Sequence, residues 1–439
     1  MESIINVFKI KDLRQRILIT LALVAVYRLG TFVTLPGIDS AALEFYFKKL
    51  TEGDFGKFVG MINMFSGGGL RNATVFALGI MPYISASIIF QMLTQVIPAL
   101  EAVSKEGPSG RRKISQWTRY ATIGICMIQA TFLAVGLQSG GGNSLSLVAP
   151  DQQGISFVII SVMTLTAGTA FLMWLGEQIT AFGITNGISM IIMASIISSA
   201  PVAVVEIASN FSMDGSSSFG PGKLAVLVAL FFLIVYGVVA ITQAQRRVPV
   251  QQAKVSRVDS GNTTYLPLRV NHAGVIPIIF AQALLIVPAW AFNQLLPDYP
   301  ELFGMQSFLY NTAYVVLIIF FCFFYTAIIF NPKEIGENMK QNGSFIPGIR
   351  PGKATADFLE YIMTRITFAG AIFFAAIAIM PLFMIKGFNV SYAVTGFFGG
   401  TGLLIVVGVG LDVIQKIESM LVTHHYDGFM GNSRVRGRI

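Results

Sequence analysis

The chain has 439 residues, of which 54% are hydrophobic and only 12% are charged, and its mean hydropathy is +0.69. A soluble domain usually carries about twice that share of charged residues. The composition therefore excludes a secreted domain, a nucleic-acid-binding domain and an ordinary cytosolic enzyme. The formal net charge of +8 has to be interpreted by location, because Lys and Arg of membrane proteins collect on the cytoplasmic side.

Ten apolar stretches follow one another along the chain, and each is long enough to cross a bilayer. The hydrocarbon core is about 30 Å thick and requires about 20 apolar residues per helical span. Because ten is an even number, both termini lie on the same side of the membrane. The predicted spans are 15–35, 73–97, 117–137, 155–175, 184–207, 223–243, 272–292, 309–330, 365–385 and 396–418.

The basic residues select that side. Most of the 30 Lys and Arg lie at the two termini, in the even-numbered connections, or at the span ends beside them. This asymmetry predicts cytoplasmic termini and supports the number of spans. The exceptions are Arg28, Lys48, Lys49, Lys57, Arg71, Lys223 and Lys386.

The external connection 36–72 contains an apolar stretch, Met61 to Phe65, followed by three consecutive glycines at 67–69. This stretch is too short to cross the membrane. One interpretation is a re-entrant piece or half-helix, which is tolerated at membrane depth only within protein or along a water-filled cavity. The other is an interfacial helix lying flat, and the pattern leaves both open.

Two connections on the cytoplasmic side, 244–271 and 331–364, are long and basic. Their composition is mixed polar, and Thr263 to Leu268 has the pattern of a short strand. They are either solvated loops that follow the positive-inside rule or a docking surface for a soluble partner.

Charge is nearly absent from the middle of the spans. Arg28 lies in the outer part of the first span and is expected to extend outward, while Glu177 and Asp412 lie near cytoplasmic ends. The sequence has no metal-ligand spacing, nucleophile motif or phosphate-binding loop, so we predict no catalytic residue, metal or cofactor. The alternative, an ion-coupled secondary transporter with a five-plus-five inverted repeat, would be expected to carry mid-span carboxylates.

The polarity that remains within the spans is uncharged. Ser85, Gln91 and Gln95 lie on the second span, and Asn271 and Gln282 lie on the seventh. Such groups can form hydrogen bonds across a helix contact. Isoleucines recur three or four residues apart on the same spans and on the fifth, which indicates core packing unless those faces meet at a pore.

Several short motifs are distributed along the chain. One is the second-span stretch from Phe76 to Ser85 (FALGIMPYIS). The others are GRRKIS at 110–115, WLGEQI at 174–179, NGIS at 186–189, FYT at 324–326, FNP at 330–332, PGIRPG at 347–352 and GGT at 399–401. In these motifs, which occur in family order from end to end, the chain resembles the SecY family, the channel subunits of the bacterial protein translocase.

The resemblance implies an all-α membrane protein in which ten transmembrane helices form two pseudo-symmetric five-helix halves. These halves, an inverted repeat, would enclose an hourglass pore with a plug half-helix. The N-terminal half would be 1–207, with the plug at about 61–72. The C-terminal half would be 208–439, with docking loops 244–271 and 331–364.

The resemblance also implies a function. The chain would be the central channel that passes unfolded secretory proteins across the bacterial cytoplasmic (inner) membrane. It would release membrane spans into the lipid bilayer between the second and seventh spans. Its partners would be the SecE and SecG subunits, the motor ATPase SecA or a translating ribosome, and the signal sequences and nascent polypeptides themselves.

Particular residues match positions of known role in the family. The resemblance implies a pore ring, a plug at Asn63 to Asn72, a lateral gate and docking arginines. The plug residues are Asn63, Met64, Phe65, Ser66, Gly67, Gly68, Gly69, Leu70, Arg71 and Asn72. The pore ring comprises Ile80, Ile84, Ile188, Ile192, Ile276, Ile279 and Ile405; the gate Ser85, Gln91, Asn271, Val287 and Ala291; and the docking set Arg246, Arg247 and Arg350. A protein conduit must pass side chains of every polarity, so a flexible apolar ring that seals by dewetting suits it better than a charged filter.

Overall fold

A computed structural model shows a predominantly helical chain with one small sheet. It describes residues 10–39, 42–43, 60, 63–138, 147–148, 153–209, 211, 220–252, 264–270, 274–295, 307–388 and 400–431. In chain order the elements are α1 (Lys11–Gly30), α2 (Met81–Val96), α3 (Pro98–Lys105), α4 (Pro108–Gln138), α5 (Ile155–Phe182), α6 (Gly187–Ile197), α7 (Ala200–Ser209), α8 (Pro221–Gln243), β1 (Gln245–Gln252), β2 (Thr264–Arg269), α9 (Ile276–Leu295), α10 (Phe308–Ile329), α11 (Pro332–Gln341), β3 (Ser344–Phe345), α12 (Lys353–Phe388) and α13 (Thr401–Gly431).

Each of the ten predicted spans coincides with a helix or with a broken pair of helices. Within the described residues, six segments are long and apolar enough to cross a membrane, and a seventh follows if α2 and α3 form one span bent by 99°. The other three predicted spans correspond to α1, α9 and α13. Charged residues such as Arg16 and Lys416 lower the apolar character of α1 and α13, whereas α9 contributes a shorter apolar helix, Ile276–Leu285.

Two spans depart from the predicted continuous helices. The second begins at Met81 instead of residue 73, because the chain passes through turns up to Ile80 and Gly79 has a φ of +56°. Pro82 then lies at the start of the helix, where its missing N–H costs nothing. The fifth span is divided into α6 and α7 by a turn at Ser198 and Ser199.

The chain forms two compact units, Met1–Val205 with Ile405–Ile439, and Glu206–Leu404. In the first unit α4 packs against α5 and α2, while α5 also contacts α1 and α6. In the second unit α12 packs against α8, α10 and α11, and α9 packs against α10. The division into halves at residues 207 and 208 stays a prediction.

The sheet of the second unit lies where the sequence analysis placed two long loops. Its strand order is β2-β1-β3, and both pairings are antiparallel. The predicted strand Thr263 to Leu268 is found as β2, one residue further along. Neither β1 nor β3 was predicted, although the Arg-Val-Pro-Val stretch at 247–250 alternates as a half-buried strand does.

Candidate functional site: plug segment, isoleucines and basic sheet

The plug segment, Asn63–Asn72, is a short helical turn at 63–65 followed by glycine-rich turns. Gly67 and Gly68 have φ angles of +65° and +89°, a left-handed region that glycine adopts without steric cost. The side chain of Asn63 accepts the backbone N–H of Arg71 at 2.8 Å, so the segment is closed on itself. The three glycines therefore allow a compact, hydrogen-bonded turn.

Side chains of α1 and α6 hold this turn. The Arg28 guanidinium donates to the Gly67 carbonyl at 2.8 Å, and the Ser198 hydroxyl donates to the same oxygen at 3.4 Å. The Tyr27 hydroxyl lies 2.6 Å from Ser195 Oγ and 3.3 Å from the Ser66 carbonyl. The Arg28 guanidinium is therefore bonded to the plug segment, a partner that the sequence analysis did not predict.

The rest of the plug segment is seated on an apolar core. Leu70 and Ala73 are buried in a cluster with residues of α4 and α5, including Ala130, Leu137 and Leu165. Ala73 has a φ of +42°, which is rare for a residue with a side chain. Its N–H and that of Thr74 bond within the turn, to Leu70 and Gly69.

Aromatic rings also hold the turn that follows the plug segment. Phe76 stacks between Tyr27 and Phe171, with ring centroids 6.1 Å away in each case, and Phe171 contacts Trp174. The Phe76 ring also lies so close to Gly30 that a Cβ there would overlap it. The turn after the plug segment is thus fixed between α1 and α5.

Four of the predicted pore-ring isoleucines that lie in the first unit are buried. Ile84 lies in the first turn of α2, and its N–H bonds to the carbonyl of Ile80 at 3.1 Å. Ile188 and Ile192 share one face of α6 because they are four residues apart, and Ile405 lies in the first turn of α13. Ile188 is half-buried; the buried four are Ile80, Ile84, Ile192 and Ile405.

A tight turn fixes the beginning of α6. Gly187 lies against the carbonyl of Gly176 in α5, leaving no room for a Cβ. Its N–H donates to Thr180 Oγ1 at 2.8 Å, and Asn186 caps the helix by accepting the N–H of Ile188 at 3.0 Å. The position of the isoleucine-bearing helix is therefore set by α5.

The remaining ring and gate residues are placed as follows. In the second unit, Ile276 and Ile279 lie in the first turn of α9, exposed and half-buried respectively. Val287 and Ala291 are also on α9, but their side chains lie outside the described residues, as does the whole of Asn271. On α2, Ser85 is half-buried and Gln91 donates to Ser87 Oγ at 3.3 Å. The ring and the gate as assemblies stay predictions.

The basic sheet, defined as β1, β2 and β3 with the following turn 346–352, carries all three predicted docking arginines. Arg246 and Arg247 are exposed on β1, where Arg246 pairs with Leu268 and Arg247 with Pro267 of β2. Arg350 is exposed in the turn after β3. Because β3 pairs with the end of β1, the structure joins these three side chains in one element of the second unit.

This sheet has a core of its own on one face. Val248 and Leu268 are buried together with Phe330 and with Leu359, Ile362 and Met363 of α12, and residues of α11 pack against this cluster. The Arg350 turn is held by the Ile349 N–H to the Ile346 carbonyl and by the Thr355 hydroxyl to the Arg350 carbonyl, at 3.0 and 2.9 Å. A solvated loop would lack such a core, so the arginines are presented by an ordered platform.

Sequence reasoning missed Tyr27, Ser195 and Ser198, which contact the plug segment or each other. Nothing in a single sequence links residues that are 131 or 168 positions apart. Arg28 was the one signal, since a charge within a span indicates a specific partner. Within the described residues no group of three or more potential metal ligands occurs.

Long apolar helices, a glycine-rich turn seated among them and an exposed basic sheet define a multi-pass helical membrane protein. The SecY family model matches residues 74–414. The SecY translocase subunits of Streptomyces scabiei and Escherichia coli are 44% and 42% identical to the chain, covering 96% and 97% of it and 98% and 96% of their own lengths.

Solved channels share the fold. A SecY structure concerned with the plug domain, the closed state and the membrane seal aligns with a TM-score of 0.65 at 16% identity, covering 93% of each chain. Sec61 in a canine ribosome-channel complex aligns with a TM-score of 0.61 at 15% identity, again over 93% of each chain. The chain belongs to the SecY family, and its role is that of the protein-conducting channel.

Proposed function

We propose that this chain forms the central pore of a Sec translocon, passing unfolded secretory proteins across a bacterial cytoplasmic membrane. The observation that carries the proposal is the proximity of two features in one unit. Buried isoleucines lie on α2, α6 and α13, and the plug segment is hydrogen-bonded to α6 and α1. An apolar constriction with a removable turn beside it suits a conduit that must accept every kind of side chain.

In this proposal isoleucine side chains form the seal of the pore. Ile80, Ile84, Ile188, Ile192, Ile276, Ile279 and Ile405 form the ring in this proposal. Branched apolar side chains exclude water from a narrow opening, yet they make no strong bond to a passing polypeptide. The plug segment closes the channel on the external side, and both termini are cytoplasmic.

Membrane spans leave sideways in this proposal, between the second and seventh spans. The gate residues in this proposal are Ser85 and Gln91 on the second span and Asn271, Val287 and Ala291 on the seventh. Hydrogen bonds across such a helix contact contribute about 1 kcal/mol each. That is enough to bias the contact toward closed and little enough to let a signal sequence open it.

The work of translocation comes from partners. SecA or a ribosome docks on the basic sheet, and SecE and SecG flank the channel. Arg246, Arg247 and Arg350 offer planar guanidinium groups, which bind carboxylates of a motor or phosphates of ribosomal RNA in a bidentate manner. The exposure of these arginines above a buried core supports this assignment. The chain itself carries out no catalysis.

Reconstitution tests the proposal. Vesicles containing the chain and SecE should protect an unfolded precursor from protease when SecA and ATP are added outside. A precursor without a signal sequence should stay accessible, which is the matched control. Vesicles that protect no precursor but accumulate a small solute with an ion gradient would contradict the channel and favour a secondary transporter.

A further inference from the structure

The first span contacts the plug segment through two adjacent polar side chains. Arg28 donates to the Gly67 carbonyl at 2.8 Å. Tyr27 lies with its hydroxyl between the Ser66 carbonyl of the plug segment and Ser195 Oγ of α6. Tyr27, Ser66 and Ser195 are each no more than 1% exposed, so these bonds lie in a dry environment.

Two arrangements of the protons satisfy these groups. In the closed channel the Tyr27 hydroxyl donates to the Ser66 carbonyl at 3.3 Å and accepts from Ser195, whose Oγ lies 2.6 Å away. In the other arrangement Tyr27 donates to Ser195, and Ser195 donates to the Ile191 carbonyl at 2.8 Å. Tyr27 has a single proton and two acceptors, one on α6 and one on the plug segment. It can exchange one acceptor for the other without becoming unpaired.

Arg28 has the same property. Besides the Gly67 carbonyl, its guanidinium donates to Thr31 Oγ1 at 3.3 Å and lies 5.0 Å from the centroid of the Phe32 ring. When the plug segment leaves, Arg28 keeps these two contacts and Tyr27 keeps Ser195. An unpaired buried polar group would oppose opening, and neither side chain becomes one.

We propose that Tyr27 and Arg28 form a reversible polar latch, which holds the plug segment in the closed channel and releases it without leaving an unpaired group on the first span. This inference rests on the proposed function, because it gives the plug segment the role of a seal. It assigns to the first span a direct part in gating, which neither the ring nor the lateral gate supplies.

The latch predicts different results for the two partners of one hydrogen bond. In Tyr27→Phe the ring stack with Phe76 remains, but the plug segment loses a donor. We expect conductance across a planar bilayer, and export of a precursor with a defective signal sequence, to rise about three- to tenfold. In Ser195→Ala the Tyr27 hydroxyl keeps the Ser66 carbonyl in the closed channel but has no acceptor after the plug segment leaves, so neither readout should rise above the wild-type level.

Further variants distinguish the effect of losing the latch from the effect of disrupting the pore ring. Tyr236→Phe removes the same hydroxyl from a side chain that is 74% exposed on α8, and it should change nothing. Ile192→Asn should leak because it wets the proposed ring. Arg28→Gln should leak, and Arg28→Lys should recover most of the closure because it keeps a cationic donor.

Two results would overturn the latch while sparing the channel assignment. One is a leaking Ile192→Asn beside a Tyr27→Phe that conducts as the wild type does. The other is a Ser195→Ala that leaks as much as Tyr27→Phe, which would make the tie between α1 and α6 the relevant contact. If Ile192→Asn is also tight, the pore assignment fails together with the latch.

Discussion

The plug segment and the basic sheet both involve arginines, but the two regions place these side chains in opposite environments. In the plug segment an arginine is turned inward onto a backbone carbonyl, and the turn around it is held by a few neutral hydrogen bonds. In the basic sheet the arginines are exposed, while the apolar side chains Val248 and Leu268 anchor the strands from below. In our proposal the first region is released when the channel opens, and the second stays in place while a partner binds.

The difference shows how the environment determines the role of a charge. Arg28 lies within the predicted first span, where a cation is stable only with a nearby partner. Arg350 lies in a turn stiffened by Pro347 and Pro351, where a guanidinium can stay solvated until a partner arrives. Substitutions in the two regions should therefore impair the channel in different ways.

The sharpest test of this contrast concerns the side of the membrane. A single cysteine at Ser256, between β1 and β2, should react only with a reagent added on the cytoplasmic side. One at Ser217, before α8, should react only from outside. Both positions lie outside the described residues, and labelling is expected to be all or none. Labelling of Ser256 from outside would refute the ten-span arrangement.

Charge reversal in the basic sheet should have the next largest effect. Arg350→Glu places a carboxylate on the proposed docking surface for acidic groups, and we expect the translocation rate to fall by about tenfold or more. The neighbouring exposed Lys353→Glu is the matched control and should retain most activity. Co-purification with SecE measures folding. Wild-type rates in Arg350→Glu would remove the docking role from this turn.

A polar group in the proposed ring should shift the channel toward open. Ile84→Asn buries an amide that has no partner in a dry closed state, which costs roughly 1–3 kcal/mol. A shift of about 1.4 kcal/mol changes the open-to-closed ratio tenfold, and single-channel conductance would detect it. Ile84→Leu, which stays apolar, should remain tight, and Ile405→Asn should leak as Ile84→Asn does. Tight channels in both Asn variants would make these isoleucines ordinary core residues.

A methyl group in the plug segment should have the smallest effect. A Cβ on Gly67 would lie 2.6 Å from the Tyr27 hydroxyl oxygen, whereas a Cβ on Gly68 would meet nothing within 4 Å. Both residues have positive φ, so both alanine variants carry the same backbone cost of roughly 1–2 kcal/mol. Gly67→Ala should therefore leak a few-fold more than Gly68→Ala. Equal conductance would mean that closure does not depend on the fit against Tyr27.

The two regions also differ in how far the sequence predicts them. A helix or a broken pair of helices was found at each of the ten predicted spans, because apolar length is a property of the local sequence. The strand β2 could also be predicted from the local sequence, because its residues alternate as those of a strand do. The start of α2 at Met81 and the break at Ser198–Ser199 were not predicted, because an apolar composition continues through both turns.

The contacts of the site could not be predicted from a single sequence, for another reason. The bond between Tyr27 and Ser195 and the pairing of β1 with β3 join residues that are distant along the chain. The burial of Leu268 likewise depends on helices that follow it by many residues. Family resemblance located the arginines and the isoleucines, but it did not indicate that Arg28 faces the plug segment.

The turn that joins α5 to α6 has a mechanical consequence. Gly187 and Asn186 fix one end of α6, and the other end lies at the residues that contact the plug segment. With a rise of 1.5 Å per residue, a tilt of about 10° about Gly187 would displace Ser198 by about 3 Å but Ile188 by less than about 0.5 Å. A small rotation of α6 would therefore change the contact of Ser198 with Gly67 far more than the position of Ile188.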